Sequence, residues 1–159
     1  MNKIVADKMD FIEMTLCIIF CKCGRRDKIL LGKKAKGLGK GYWNGFGGKI
    51  KPGESIKEAN TREVFEETGI ELYEDDTFLM GLNRFIFPEN KTILEVHVFV
   101  AHIRELINPK LNAEFDGFEW FDKGQLPYEN MWSDDRYWVP YLFEEKFSKD
   151  FILWIAATI

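Results

Sequence analysis

Arg62, Glu63, Glu66 and Glu67 crowd one short stretch of the chain, and another acid, Glu54, precedes them in a glycine-containing turn. Carboxylates this close repel one another unless a cation sits among them. Hard oxygen ligands select magnesium or manganese over zinc, and a cation held that way can carry a phosphate substrate. The element that must position them reads as a helix. Pro52-Gly53-Glu54 is a turn signal and Ser55 a good N-cap. Glu58 follows Ser55 at capping-box spacing, and Gly69 supplies the C-cap. At about 100° per residue, Ile56, Ala59, Glu63, Glu66, Glu67 and Ile70 share one arc, which sets the acids at the edge of a core. The string REVFEE alone is equally consistent with a glutamate-rich surface helix.

The wider spacing is more specific. The run from Gly48 through Glu54, Arg62-Glu63, Glu66-Glu67 and Gly69 to Ile70 is identified as the complete signature of the Nudix hydrolases, without gap or substitution. The resemblance implies an α/β Nudix fold, a mixed β-sheet sandwiched between α-helices. It also implies hydrolysis of a diphosphate linkage with Mg2+, or Mn2+ in its place. By the same resemblance Glu63, Glu67 and the Gly48 carbonyl hold the metal, and Glu66 acts as a further ligand or as general base. Arg62 orients the glutamates by ion pairing, and Glu54 supports them from behind. Attack at the β-phosphorus is implied, giving a nucleoside monophosphate and pyrophosphate.

Three further segments, YWNGFGGKI (42–50), ILEVHVFVA (93–101) and MWSDDRYWV (131–139), resemble one subfamily, the MutT-like oxidised purine nucleoside triphosphate hydrolases (8-oxo-dGTP diphosphatases). The similarity runs from about Thr15 to Phe147. It implies a base pocket of Asn44, Trp132, Asp134 and Asp135, lined further by Thr15, Phe85 and Leu94. Gly47 and Gly48 lie against the substrate in this reading, and Lys34 is a partner for it. The chemistry is consistent: a tryptophan offers a flat stacking surface, and an asparagine both donates and accepts. Adjacent aspartates can share a proton, one donating and one accepting. That would suit both 8-oxo-dGTP and 2-hydroxy-dATP. Spacing alone reads Trp132-Ser133-Asp134-Asp135 as a helix start. Leu38 and Leu94 depart from the subfamily, standing where an aromatic residue and a methionine are expected. Rival readings are a Nudix hydrolase of another substrate (a normal or O6-methylated dNTP, ADP-ribose or a dinucleoside polyphosphate) and a nucleotide-binding module without catalysis. The complete set of acids speaks against the latter.

Composition agrees with a small enzyme. A chain of 159 residues, 46% hydrophobic and 15% aromatic, can bury one core, so one domain over 1–159 is expected. A net charge of −4 argues against gripping a nucleic acid polymer. No apolar run is long enough for a membrane span, and Asp7, Asp10 and Glu13 spoil the start as a signal peptide. Cys17, Cys21 and Cys23 are an odd, closely spaced set, read as reduced thiols in the cytoplasm. His97, in an apolar strand, reads as structural. A monomer acting on a small nucleotide is expected. Strands are expected over 11–21, 28–34, 77–87, 91–101 and 114–121, with a helix over 134–147 packing an aromatic face. The tail after it does not fit the subfamily pattern, although it could close the sheet.

Overall fold

The structure is a computed structural model, which describes residues 8–144 and the backbone of 153–158. The hydrophobic run of β1 (Asp10–Cys23) organises it. Successive side chains of a strand point to opposite faces. Cys17 and Ile19 therefore enter one apolar cluster with Val64, Phe99 and Phe115, while Ile18 and Phe20 enter another with Val98, Trp138 and Val139. A strand apolar on both faces belongs at the middle of a sheet covered on both sides.

Six further strands surround it: β2 (Arg26–Lys34), β3 (Trp43–Asn44), β4 (Thr77–Phe87), β5 (Thr92–Ile103), β6 (Phe115–Asp122) and β7 (Leu153–Thr158). The order is β3-β2-β1-β5-β4-β7, with β6 on the other edge of β2. The β1–β5 and β4–β7 pairs are parallel and the remainder antiparallel, so the sheet is mixed. Helix α1 (Ile56–Thr68) covers one face through Ala59 and Val64. A short α2 (Asp135–Trp138) and the 3₁₀ turn Val139–Phe143 cover the other. The expected sandwich is present, and β7 supplies the closing strand that the tail left open.

One expectation needs correction. The helix anticipated over 134–147 lasts only from Asp135 to Trp138 and tightens into 3₁₀, with Pro140 at the change. A proline donates no backbone hydrogen bond, which disfavours a continued α-helix. Residues 145–147 lie outside the described part. Cys17 is free and buried. Cys21 and Cys23 are alternate residues of β1 with Cα atoms 5.4 Å apart.

Candidate active site

Helix α1 begins as its sequence requires. Ser55 Oγ accepts the Glu58 N–H at 3.1 Å, and Glu58 Oε2 accepts the Ser55 N–H at 2.7 Å, closing the capping box. Gly69 ends the helix in the left-handed region with φ 70°. The buried side of α1 is Ala59, Asn60, Val64, Glu67 and Thr68. It is rotated from the arc read in the sequence, so Glu67 is buried and Glu66 faces solvent.

Arg62 holds the acids apart and in place. Its Nε and Nη2 donate to Glu54 at 2.5 and 2.9 Å, Nη1 donates to Glu63 at 2.7 Å and to Glu66 at 3.2 Å, and Nη2 also reaches the Lys49 carbonyl at 3.1 Å. This hydrogen bonding holds the Glu54 carboxyl at about 2, well below the usual carboxylate value. Glu54 and Arg62 line an open depression on the surface. Arg62 thus links Glu54 to Glu63 and Glu66.

Segment 45–48 runs tightly along β1. Gly48 C=O accepts the Thr15 N–H at 2.9 Å, and the Phe46 and Cys17 main chains bond reciprocally at 2.6 and 3.0 Å. A Cβ on Gly47 would lie 2.0 Å from the Thr15 carbonyl oxygen, so no side chain fits there. A Cβ on Gly48 would lie 2.6 Å from the Glu63 carboxyl carbon. Gly48→Ala is therefore expected to displace the Glu63 carboxylate and to lower kcat about 100-fold, the order of loss a displacement near 1 Å can cause. Steady-state kinetics beside a thermal melt checks this, and an unchanged kcat would show that Glu63 needs no such room.

A cavity of about 590 Å³ opens beside this glycine segment, a size that suits a small organic ligand. Glu63, Glu66, Glu67, Gly47, Gly48, Thr15, Lys34, Asn44, Phe85, Leu94, Trp132 and Asp135 all line it. Asp134 does not, although both its carboxylate oxygens are buried without a hydrogen-bond partner among the described residues. Asn44 Oδ1 accepts the Gly45 N–H at 2.9 Å. Lys34 is committed to Glu114 at 3.1 Å and lies over the Phe115 ring. The cavity also includes Asn83, Asn112, Glu114 and Trp138, which the sequence reading did not single out.

Two buried carboxyls give the cavity its electrostatic character. Glu67, 5% exposed, is pushed up to about 8, chiefly by burial. The Gly47 N–H, donated to Glu67 Oε2 at 2.9 Å, opposes this only in part. Asp135, 4% exposed, is pushed up to about 7, first by burial and then by the charge of Asp134.

The donors fit a hard divalent cation. Glu63 and Glu67 each have one carboxylate oxygen engaged, by Arg62 and by Gly47, and both line the cavity with Gly48. Glu66 is engaged at both oxygens, by Arg62 at 3.2 Å and Lys51 at 3.6 Å. A second group, Glu13, Glu95 and His97, has ligand atoms within 4.8 Å of one another but lies off the cavity. There Arg84 already holds Glu95 at 2.5 Å, and His97 Nε2 sits 3.3 Å from Glu13.

A mixed sheet between helices thus carries an acid-bearing helix beside a glycine-rich segment. The family model for the NUDIX domain matches residues 15–142, and the chain belongs to that family. It is 38% identical over 120 residues to the oxidized purine nucleoside triphosphate hydrolase of Mus musculus, covering 75% of this chain and 74% of that one. It is likewise 38% identical over 121 residues to the protein of the same name from Danio rerio, covering 75% and 74%. Among solved structures, the mutator MutT protein of Bacillus halodurans superposes with a TM-score of 0.69 at 28% identity, over 92% of this chain and 89% of that chain.

Proposed function

We propose that this protein hydrolyses oxidised purine nucleoside triphosphates, 8-oxo-dGTP and also 2-hydroxy-dATP, to the nucleoside monophosphate and pyrophosphate, so sanitising the nucleotide pool and preventing mutation. The observation that carries the reading is one cavity lined both by Glu63 and Glu67 and by Asn44, Trp132 and Asp135. Phosphate chemistry and purine recognition thus share one space. Mouse and zebrafish relatives named for oxidised purine nucleotides support the substrate class.

Glu63, Glu67 and the Gly48 carbonyl would hold Mg2+, with Mn2+ as a substitute, and Glu66 stands as an outer ligand or base. The bound cation supplies charge neutralisation on the phosphate oxygens and a lowered pKa for the attacking water. Arg62 keeps the Glu63 and Glu66 carboxylates in their rotamers, and Glu54 fixes Arg62 in turn. Trp132 stacks on the base, Asn44 pairs with its edge, and Asp134 and Asp135 read that edge, with protonated Asp135 as the donor. Thr15, Phe85 and Leu94 shape the pocket, and Gly47 lets the chain approach the phosphates. Lys34 exchanges Glu114 for substrate. Water adds to the β-phosphorus as its bond to the bridging oxygen of the α-phosphate breaks, and the monophosphate leaves with that oxygen.

One domain, acting as a cytoplasmic monomer, completes the reading. No described helix is long and apolar enough to cross a membrane. Hydrolysis in ¹⁸O-labelled water tests the reaction: the label is expected in pyrophosphate, with activity lost when the metal is chelated. Label in the monophosphate would place the attack at the α-phosphorus and contradict this route.

A further inference from the structure

Asn83 occupies a position that the sequence shows only as one polar residue in the strand TFLMGLNRFIF. It is 1% exposed, it lines the cavity, and its Nδ2 has no hydrogen-bond partner among the described residues. Register explains its placement. Asn83 pairs with Val96, and Val96 with Met14, so the three form one row across β4, β5 and β1. The next row pairs Phe85 with Leu94. All five residues line the cavity, and the amide is the polar group of an otherwise apolar floor. A buried amide with an unmade hydrogen bond destabilises the fold, and a leucine of similar size would serve packing better. Such a group aimed into a ligand cavity is accounted for when the ligand completes it.

We propose that Asn83 is a specificity-determining residue that reads the base: its Nδ2 donates to an acceptor atom, a carbonyl oxygen or an unprotonated ring nitrogen, on the edge of a purine in the cavity. This rests on the reading of the cavity as a purine nucleotide site. The apolar row around Asn83 suits a flat ring, whereas the phosphates belong with the acids beside Gly48.

The test is Asn83→Leu in the full chain. Calorimetric binding of 8-oxo-dGMP is expected to weaken about tenfold, the size of one net hydrogen bond. The kinetic loss on 8-oxo-dGTP should fall on KM rather than kcat, and Tm should stay level or rise. The penalty should differ among purines that differ in one exocyclic oxygen, with dGMP and dAMP as comparisons. Asn83→Ser, a smaller change, gives the same binding readout if the leucine variant folds poorly. Unchanged affinity for every base with a lower Tm would overturn the proposal and make the amide structural. An equal loss for purine and pyrimidine monophosphates would overturn it as well. Asp135→Ala, measured alongside, separates the two levels. If it weakens binding in a base-dependent way and Asn83→Leu does not, this inference fails and the purine site stands. If neither discriminates between bases, both fail.

Discussion

Glu67→Gln is expected to lower kcat by about three orders of magnitude, because the loss of a ligand to a catalytic cation removes several kcal/mol of transition-state stabilisation. The fold should be nearly untouched. Glutamine has the same shape, and its carbonyl oxygen can still accept the Gly47 N–H that now reaches Glu67 Oε2 at 2.9 Å. Without metal the variant should be the more stable protein at neutral pH. Burial, opposed by the Gly47 hydrogen bond and assisted by the charge of Glu63, raises the Glu67 carboxyl from its ordinary 4.5 to about 8. A group raised on folding favours the folded state fully below its unfolded pKa, and that contribution is lost as the pH climbs through the folded value. Metal-free wild type should therefore lose stability between about pH 4.5 and 8. Glu67→Gln should flatten that part of the profile, and magnesium should offset the loss in wild type only. Thermal melts across this range, with and without magnesium, provide the check. A variant with ordinary turnover would remove Glu67 from the metal site.

Asp135→Ala and Asp134→Ala are each expected to raise KM for 8-oxo-dGTP between about 10- and 100-fold, with a much smaller effect on an unmodified triphosphate. A site built to hydrogen-bond a polar edge loses heavily when one partner goes. The two residues reach this role differently. Asp135 is the cavity-lining member, 4% exposed, whereas Asp134 does not line the cavity and has both oxygens buried and unpartnered among the described residues. Burial first, and the Asp134 charge second, raise the Asp135 carboxyl from 3.8 to about 7. Near neutral pH the Asp135 carboxyl is therefore partly protonated, and in that form it can donate to the base. Affinity for 8-oxo-dGMP should be steady in mildly acid buffer and should weaken as the pH rises through about 7. Asp135→Asn, which keeps a donor at every pH, should abolish the dependence. A slope that survives in Asp135→Asn, or equal losses on every nucleotide, would remove the pair from base recognition.

What the sequence disclosed was mostly local chemistry. The Ser55–Glu58 capping box and the left-handed Gly69 were legible because the partners lie within a few residues of one another. Strand β4 was legible to its ends, bounded by a 3₁₀ turn and by Pro88. The spacing from Gly48 to Ile70 carried the acids as a set, and Arg62 holds them as that set required. Burial was harder to see. A helical arc cannot say which of Glu66 and Glu67 the sheet will cover, since that depends on the rotation of α1 against β1. The helix at Asp135 was legible at its start but not in its length, because aromatic residues beyond it prolong an apparent helical pattern that Pro140 interrupts. Strand β3 is only two residues long and pairs through Gly32 and Lys33, too little to leave a periodic trace. Asn83 was invisible for another reason. A single amide in an apolar strand carries no motif, and only the register across β4, β5 and β1 places it on the cavity floor.

The most direct measurement is kcat/KM for magnesium-dependent pyrophosphate release from 8-oxo-dGTP and 2-hydroxy-dATP against O6-methyl-dGTP, dGTP and dATP, with ADP-ribose and diadenosine tetraphosphate assayed for hydrolysis in parallel. A cavity that joins Glu63 and Glu67 to Asn44, Trp132 and Asp135 predicts values for the oxidised purines well above that for dGTP. A flat profile across the triphosphates, or a preference for ADP-ribose, would keep the Nudix chemistry and contradict the purine-reading half of the site.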